Sequence, residues 1–394
     1  MSLQNNGNEN FENNKAEAEL SREEKEASAY YCATDKDSKT YKKYNKRKHR
    51  HKRKLTTSQK VKKALLIICS VLLAVVIVAV GTFFTMRQIG KNKLLNYDNV
   101  KVTAVDGANV DGDNTVEYKG KKYTLNKNII SILCMGVDKT IEENSTYGTN
   151  GQSDAVFVLT VDVSNGETNI IPINRDTVVD VNTYSESGEF AGVEKTQLCL
   201  AYSYGDGEKK SCENVAESVS RLLYGVPVNA YFAMDLDAVE VINDICGGVS
   251  VTSNETFSYL GAYIKNGQNT ILSDAQARAF VRYRNQYKDN SNVKRMQRQK
   301  MFLSSAISKL GQKVKGNISS VGNIYSRLSP YSYTNIDLSQ ATFLASKVVT
   351  LNNSMKVNYR SVKGKVTTGG KYVKFIPNEE KLFELVLNVY YKGV

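Results

Sequence analysis

Apolar positions from about residue 125 onwards follow two periods. Nearly continuous or alternating apolar runs predict strands at Ile129–Val137, Asp154–Val163, Thr168–Asn174, Val228–Met234, Gly248–Ser253, Lys356–Val366 and Lys371–Ile376. Apolar residues spaced three and four apart predict helices at Cys212–Tyr224, Leu236–Cys246, Ser273–Val281, Met296–Leu310, Leu338–Leu351 and Asn378–Tyr391. Because the two kinds of element alternate without a long hydrophilic break, the sequence predicts a single α/β domain.

A different pattern precedes this domain. Ala64–Met86 is 23 residues long and carries no charge, so it can cross a bilayer as one helix. Tyr41–Lys63 carries twelve Lys and Arg residues and no acidic residue, whereas only Arg87, Lys91 and Lys93 follow the span closely. The positive-inside rule therefore predicts a single-pass cell-membrane protein with a cytoplasmic N-terminus and an extracellular C-terminal domain.

These patterns divide the chain into four parts. Residues 1–63 are polar and basic, which predicts a disordered cytoplasmic tail. Residues 64–86 are the predicted transmembrane helix, and residues 87–124 are a predicted membrane-proximal linker that contains a hairpin at Thr115–Leu125. Residues 125–394 form the predicted extracytoplasmic domain.

The net charge of +13 is concentrated near the N-terminus. Residues 1–63 hold 17 basic and 9 acidic residues, while residues 87–394 hold 36 basic and 31 acidic residues. The folded part is thus only mildly basic. Its bulk charge gives no indication of a nucleic-acid partner, although a local cationic site is compatible with it.

Histidine is absent beyond the N-terminal tail. The chain has two histidines, His49 and His51, and both precede the predicted span. This excludes Ser-His-Asp and Cys-His catalysis, and histidine-ligated zinc, from the outer domain.

Cysteines of the outer domain are predicted to lie where disulfides persist. Their spacing does not resemble a zinc site. Of the possible pairings among Cys134, Cys199, Cys212 and Cys246, we favour Cys199–Cys212 because these two residues flank one loop, but the sequence leaves the other pairings open.

Arginines are concentrated in the stretch Ala279–Gln299. Arg282 and Arg284 are two residues apart and point the same way in an extended segment. Arg295, Arg298 and Gln299 fall on one face of a helical turn. Converging guanidinium forks suit a ligand with many oxygens and more than one negative charge, such as a diphosphate. The alternative is an ordinary solvated basic face.

Charged residues also stand at the ends of three predicted strands. Asp138 ends one strand, Asp154 opens the next, and Arg175 and Asp176 follow the third. Carboxylates at the mouth of an α/β sheet can bind Mg²⁺, which prefers oxygen ligands and also takes substrate phosphate. The alternatives are turn or cap residues for the aspartates and a structural salt bridge for Arg175 and Asp176.

Seven motifs that contain these residues occur in the order typical of one family. They are MGVD (135–138), the SD of GQSD (153–154), PINRDT (172–177), LCLAYSYGDG (198–207), the GGV of ICGGVSV (245–251), LSDAQARAFVRYR (272–284) and RxxRQ (295–299). On these motifs the chain resembles the LytR-CpsA-Psr family of membrane-anchored cell-envelope enzymes. The likeness covers residues 125–394 and also fits the preceding span. The family often has Arg where Gln152 stands and a second Gln where Lys300 stands, departures that bear on substrate preference.

The resemblance implies an α/β fold with a central mixed β-sheet flanked by helices. It also implies that residues 125–394 are a catalytic domain, that of a phosphotransferase. Such an enzyme moves an anionic glycopolymer, of the teichoic acid or capsular polysaccharide type, from a polyprenyl-diphosphate carrier to peptidoglycan. By position, Asp138 and Asp154 would hold Mg²⁺, and Asp176 would orient Arg175. The diphosphate would be bound by Arg175, Arg282, Arg284, Arg295, Arg298 and Gln299, with Arg175, Asp176, Arg282 and Arg284 as the catalytic set. The general base is left open, with Asp154 or another carboxylate as candidates.

Two other functions fit part of the same pattern. A non-catalytic regulator that binds lipid diphosphate or wall polymer needs the arginines but not both aspartates. A lipid-diphosphate pyrophosphatase needs the same site, with water as the acceptor.

Overall fold

The computed structural model describes residues 56–98, 100–112, 114–138, 151–235, 237–285, 291–351, 356–368 and 372–394. The tail predicted for residues 1–63 therefore lies outside the described residues as far as residue 55. The described chain contributes to two compact units, Met1–Ile77 and Val78–Val394. The first unit is described only as the beginning of helix α1, and the rest of this section concerns the second.

Helix α1 spans Thr57–Leu94 and is long and apolar enough to cross a membrane. It contains the whole of the predicted span and continues eight residues beyond Met86. The other helices are α2 (Leu200–Ser203), α3 (Lys209–Leu222), α4 (Ala238–Ile245), α5 (Asp274–Arg282), α6 (Ser291–Gly316), α7 (Ser320–Leu328), α8 (Leu338–Leu351) and α9 (Glu379–Tyr390).

The strands fall in six groups. The first nine strands are β1 (Ala108–Val110), β2 (Thr115–Tyr118), β3 (Lys121–Leu125), β4 (Ile129–Val137), β5 (Ser153–Asp162), β6 (Glu167–Ile173), β7 (Val178–Tyr184), β8 (Phe190–Gln197) and β9 (Ala230–Met234). The second nine are β10 (Ser250–Thr252), β11 (Phe257–Tyr259), β12 (Ala262–Ile264), β13 (Asn269–Ile271), β14 (Ser332–Thr334), β15 (Lys356–Tyr359), β16 (Gly364–Thr367), β17 (Lys374–Pro377) and β18 (Tyr391–Gly393). The groups are a six-stranded central sheet, a four-stranded sheet and four two-stranded sheets.

The central sheet has six strands in the order β14-β9-β4-β5-β6-β15. Strand β4 pairs antiparallel with β5 and parallel with β9, and β6 pairs antiparallel with β5 and parallel with β15. The sheet is therefore mixed, and the predicted fold class, an α/β domain with helices flanking a mixed sheet and one long apolar N-terminal helix, is confirmed.

Strand β4 is buried on both faces, as its apolar run predicts. Leu133 and Met135 belong to a core cluster that includes residues of α3 and α9. Ile130 and Ile132, which point to the opposite face of the sheet, pack with Phe343 of α8. A third cluster joins α4, α5 and α6. Helices therefore cover both faces of the central sheet.

The segment predicted as a linker is partly folded into the domain. The hairpin predicted at Thr115–Leu125 is present as β2 and β3, and these strands form a sheet in the order β1-β2-β3-β18 with the C-terminal strand. Tyr97, Val116 and Tyr118 are buried in the main core cluster. The apolar residues of this segment were too sparse to indicate burial by themselves, and the C-terminal strand β18 supplies their partner.

Two sequence predictions are corrected here. The predicted strand Lys356–Val366 is two strands, because β15 pairs with the central sheet while β16 pairs with β17. The predicted disulfide is absent: Cys199 and Cys212 are both buried free thiols. The Cys199 thiol accepts a hydrogen bond from Arg175 at 3.5 Å, and Cys212 lies in the main core cluster.

Helix α1 approaches the start of α8 so closely that only glycine fits between them. A Cβ atom on Gly90 would stand 2.0 Å from the Ser339 carbonyl oxygen. Beside this contact Asp337 caps α8 with a capping box: its Oδ1 accepts from the Gln340 amide at 2.9 Å, and the Gln340 side chain accepts from the Asp337 amide at 2.8 Å. Lys93 of α1 also binds the Asp337 carboxylate, at 2.5 Å.

We expect Asp337→Ala to lower the free energy of unfolding by about 1 kcal/mol, the usual cost of losing an N-cap. Partial burial raises the pKa of Asp337, but hydrogen bonds from Lys93, Ser339 and the Gln340 amide outweigh it and bring the pKa to about 2. Since the folded-state pKa is depressed, this contribution is present above about pH 4 and fades as the pH falls towards 2. Denaturant unfolding of wild type and variant at pH 7 and at low pH measures both effects; a pH-independent difference would contradict the ionised cap.

Candidate active site

A cavity of about 480 Å³ opens where three strands of the central sheet end. Because β5 is antiparallel to both β4 and β6, the last residues of β4 and β6 lie beside the first residues of β5 at this edge of the sheet. Helices α4, α5 and α6 supply the opposite wall. The cavity therefore collects the side chains at one edge of the sheet, as predicted for Asp138, Asp154 and Arg175, all three of which line it.

Asp138 and Asp154 are brought together by the β4–β5 register. Val137 is opposite Ser153, and just beyond this pair the Asp138 amide donates to the Gln152 carbonyl at 3.2 Å. The Asp138 carboxylate is exposed and accepts from the Gln152 amide at 2.5 Å. Both predicted metal ligands thus lie at the mouth of the cavity.

Asp154 is held between two guanidinium groups. One carboxylate oxygen contacts Arg175, and the other lies 3.6 Å from Arg295 Nη1. Arg175 also donates to the Gln152 side-chain oxygen at 2.5 Å. Gln152 is therefore part of the network that fixes Arg175.

Asp176 lies behind Arg175 and does not line the cavity. Its carboxylate is 3.7 Å from Arg175 Nε and accepts from the Gln197 side chain at 2.9 Å. The sequence predicted both an orienting role for Asp176 and a place in the catalytic set. Its position fits a residue that orients Arg175 and not a group that touches the ligand. We therefore treat Asp176 as a positioning residue and not as a catalytic one.

Arg282 and Arg284 both line the cavity at the end of α5. Ser273, the first residue of the predicted helix Ser273–Val281, is the N-cap of α5 and forms a complete capping box with Gln276. It ends because Tyr283 leaves the helical conformation, with φ −49° and ψ 130°. The extended backbone at this point carries the two arginines onto the same opening, as their spacing of two residues predicts.

Helix α6 contributes Arg295, Gln299 and Lys300 to the same wall. Burial lowers the pKa of Arg295, and the positive charges of Arg284 and Arg175 lower it further. Like charges that crowd each other in a partly buried wall repel, and an anion between them relieves the repulsion.

Arg298 has a different role from the one predicted. Its side chain is 1% exposed and does not belong to the cavity lining. It donates from Nε to the Phe280 carbonyl at 2.9 Å, contacts the Tyr283 carbonyl, and pairs with Glu255 at 2.9 Å. Arg295 and Arg298 lie one turn apart in α6, as their spacing predicts, but the side chain of Arg298 does not reach the cavity. We therefore leave Arg298 out of the proposed ligand-binding set.

Four polar residues that were not predicted from the sequence to bind a ligand line the cavity: Asp235, Tyr259, Lys300 and Tyr359. Burial raises the pKa of Asp235, whose Oδ1 caps α4 by accepting from the Ala238 amide at 2.9 Å. Lys300 was noted only as a departure from the family pattern. The place of Tyr359 in the cavity could not be predicted from the sequence. Its strand β15 pairs with β6, where its partner Ile170 lies 189 residues earlier in the chain.

The polar part of the cavity carries excess positive charge. Its lining includes five cations, Arg175, Arg282, Arg284, Arg295 and Lys300, and three carboxylates, Asp138, Asp154 and Asp235. The remainder is mostly apolar. It includes Val156, Phe157, Ile170, Ile173, Val239, Ile242, Val281, Phe302, Leu303, Ala306, Ile307 and Leu310. The cavity is thus suited to a ligand with an anionic head and an apolar tail.

The carboxylates of the cavity lining are also possible ligands for a metal ion. The described residues contain no cluster of three His, Cys, Asp or Glu side chains that could hold a metal by themselves. Asp138 and Asp154 offer two carboxylates at the mouth, a set that fits Mg²⁺ if substrate phosphate and water complete the coordination.

Known proteins similar to this chain share its sequence pattern and fold. The chain is 28% identical over 259 residues to a polyisoprenyl-teichoic acid–peptidoglycan teichoic acid transferase, TagV, of Bacillus subtilis, and the match covers 64% of the chain and 61% of the relative. It is 26% identical over 211 residues to TagU of Bacillus mycoides, a protein of the same description, covering 54% and 62%. The chain thus spans about three fifths of the length of these relatives.

Solved structures agree. The crystal structure of B. subtilis TagV is 25% identical, with a TM-score of 0.54 over 67% of this chain and 97% of that one. A protein from Streptococcus agalactiae, gbs0355, shares the fold at 21% identity, with a TM-score of 0.55 over 66% and 86%. The LytR_cpsA_psr family model matches residues 94–388, well over half of the 394 residues. The resemblance predicted from the seven motifs is confirmed, and the chain belongs to the LytR-CpsA-Psr family.

Proposed function

We propose that this protein is a membrane-anchored phosphotransferase that moves an anionic glycopolymer from a polyprenyl-diphosphate carrier to peptidoglycan. The observation that carries the proposal is the cavity, which joins a cluster of arginines to a long apolar wall. Relatives named as teichoic acid transferases support the same activity and make teichoic acid a candidate polymer. A capsular polysaccharide is the other candidate.

Each part of the carrier would have its own part of the cavity. The diphosphate would lie against Arg175, Arg282, Arg284, Arg295 and Gln299, whose fork-shaped donors match phosphate oxygens. The first isoprene units would lie along the apolar residues of α6 and the sheet, where burial of the chain is favourable. The glycopolymer would extend outwards through the mouth.

The chemical step is transfer of one phosphoryl group. A hydroxyl of a peptidoglycan sugar attacks the phosphorus that bears the polymer, a new P–O bond forms, and the bond to the bridging oxygen breaks. The bridging oxygen keeps the electron pair and leaves as polyprenyl monophosphate, and the hydroxyl proton passes to a carboxylate at the mouth. Arginines positioned before the reaction neutralise charge on the phosphoryl oxygens and on the leaving group. Asp154, or another carboxylate of the lining such as Asp138, is the candidate base.

Mg²⁺ would be held by Asp138 and Asp154 together with the diphosphate, and when bound it would neutralise phosphate charge. We expect Mg²⁺ to bind the full chain weakly alone and at least about tenfold more tightly in the presence of farnesyl diphosphate, because the phosphates complete its coordination. Isothermal titration calorimetry measures both affinities. The Asp138→Asn and Asp154→Asn variants should lose this gain while still binding farnesyl monophosphate; a gain that persists in both would place the ion elsewhere.

Purified full-length chain, lipid-linked polymer and peptidoglycan test the activity directly. The transferase predicts a covalent polymer–peptidoglycan conjugate and an equal amount of polyprenyl monophosphate. A pyrophosphatase releases polymer phosphate and polyprenyl monophosphate without conjugate, and a binding regulator leaves all substrates intact. Either of these last two outcomes, with folded protein, would overturn the proposal.

The orientation of the chain has its own test. Because twelve basic residues precede the span of α1 and few follow it, we expect the N-terminus to be cytoplasmic and the C-terminal domain to be outside. Protease added to intact, wall-less cells should digest the chain after Met86. Protection of that domain, with digestion on lysis as the control, would reverse the orientation.

A further inference from the structure

The hydroxyl of Tyr359 is a buried polar group at the wall of the cavity. Among the described residues it has no hydrogen-bond partner, although the side chain lines the cavity. Burial raises the pKa of Tyr359, so the group is a neutral O–H donor at physiological pH. A buried hydroxyl without a partner is costly, and a ligand oxygen in the cavity would satisfy it.

Lys300 stands over the same ring. Its Nζ lies 4.0 Å from the centre of the Tyr359 ring, a cation–π contact that holds the end of an otherwise exposed lysine against the cavity wall. Two side chains in contact, both of which line the cavity, thus each carry a hydrogen-bond donor, an ammonium and a phenolic O–H. Such a pair suits an anionic oxygen.

The position of Lys300 along α6 indicates which phosphate oxygen of the carrier this pair would bind. Arg295 and Gln299 come before it and Leu303 and Ile307 follow it, all four lining the cavity. At 1.5 Å per residue, Lys300 is about 7.5 Å further along the helix than Arg295. It is the last polar residue of this wall before the apolar part begins.

We propose that Lys300 and Tyr359 bind the phosphate that carries the prenyl chain, which becomes the leaving group of the transfer. This assignment rests on the proposed function and deepens it by dividing the diphosphate between two sets of residues. The arginines would hold the phosphate that bears the polymer, and the Lys300–Tyr359 pair would hold the phosphate next to the lipid. When the bond to the bridging oxygen breaks, this second phosphate gains the negative charge, and the ammonium and O–H neutralise it.

Binding of farnesyl monophosphate, a short form of the leaving group, tests the pair without requiring turnover. The probes are farnesyl monophosphate and farnesol, which differ only in the phosphate, titrated into full-length chain in the same detergent. We expect Lys300→Met to weaken farnesyl monophosphate binding about tenfold and Tyr359→Phe about fivefold, the usual range for losing a charged and a neutral hydrogen bond. Farnesol binding should stay within about twofold, because both substitutions keep the apolar shape.

A matched pair elsewhere in the protein supplies the control. Lys210 stands over the Tyr184 ring at 5.1 Å and lies outside the cavity lining. Lys210→Met and Tyr184→Phe remove the same groups and should leave binding of both probes unchanged.

Each remaining outcome decides against one of the two proposals. Unchanged farnesyl monophosphate binding in Lys300→Met and Tyr359→Phe, or equal weakening of both probes, would overturn the role of the pair while leaving the proposed function intact. If the wild-type chain binds farnesyl monophosphate no better than farnesol, the cavity does not recognise prenyl phosphates and the proposed function itself fails.

Discussion

Replacing Arg282 or Arg284 by alanine is expected to lower the transfer rate by roughly a hundredfold or more, about 3 kcal/mol of transition-state stabilisation. Both side chains line the cavity, where they would form charge-assisted hydrogen bonds to the phosphoryl oxygens. Lysine at either position keeps the charge but loses the fork, so it should restore little of the rate. Melting temperature should hardly change, since each substitution removes one of several crowded like charges.

Arg278 of the same helix is the matched control. Its guanidinium contacts Asp237 and lies 3.1 Å from Glu240, outside the cavity lining. Arg278→Ala should therefore lower the melting temperature while the rate per folded molecule stays unchanged. Measuring rate and melting temperature on all three variants separates ligand binding from stability, and full transfer activity in Arg282→Ala and Arg284→Ala would end the catalytic role of both.

Arg298→Met is expected to lower the free energy of unfolding by about 3–5 kcal/mol, the usual cost of removing one partner of a buried ion pair. The guanidinium carbon lies 5.2 Å and 5.1 Å from the ring centres of Phe257 and Tyr283, and its nitrogens satisfy two carbonyls and Glu255. Methionine fills part of the volume but leaves these acceptors without a donor. Urea unfolding measures the loss.

Glu255→Gln supplies the second arm of a double-mutant cycle. The combined variant should be more stable than the sum of the two single losses predicts, because the charge that Arg298→Met strands has already been removed. Additive losses would show that the Arg298–Glu255 pair contributes nothing beyond its separate contacts. Transfer activity per folded molecule should be preserved in Glu255→Gln, since neither Glu255 nor its partner Arg298 lines the cavity.

Arg295 and Arg298 illustrate which part of the site can be predicted from the sequence alone. Spacing alone placed both on one helical face, and the family motif contains both. In the structure Arg295 faces Asp154, whereas Arg298 is buried against the end of α5. Residues three apart on a helix differ in direction by about 60°. This difference is enough to put one side chain in the cavity and the other in the core when two helices pack closely.

Local chemistry explains what was predictable. The nearly continuous apolar run of β4 predicted a buried strand, and Ser273 predicted the start of α5, since both depend on neighbours in sequence. The hairpin of β7 and β8 was missed because its second strand is largely exposed and polar. An exposed strand has no apolar alternation from which it can be recognised.

The sequence by itself determined the apolar span, the absence of histidine chemistry in the domain that follows it, the family, and the strand-end residues Asp138, Asp154 and Arg175. Only the tertiary structure decided that Cys199 and Cys212 remain apart, that Asp176 stands behind Arg175, and that Lys300 meets Tyr359. The first set follows from composition and short-range order. The second depends on which distant segments pair, as β15 does with β6, and pairing across long stretches of chain leaves no local pattern in the residues that meet.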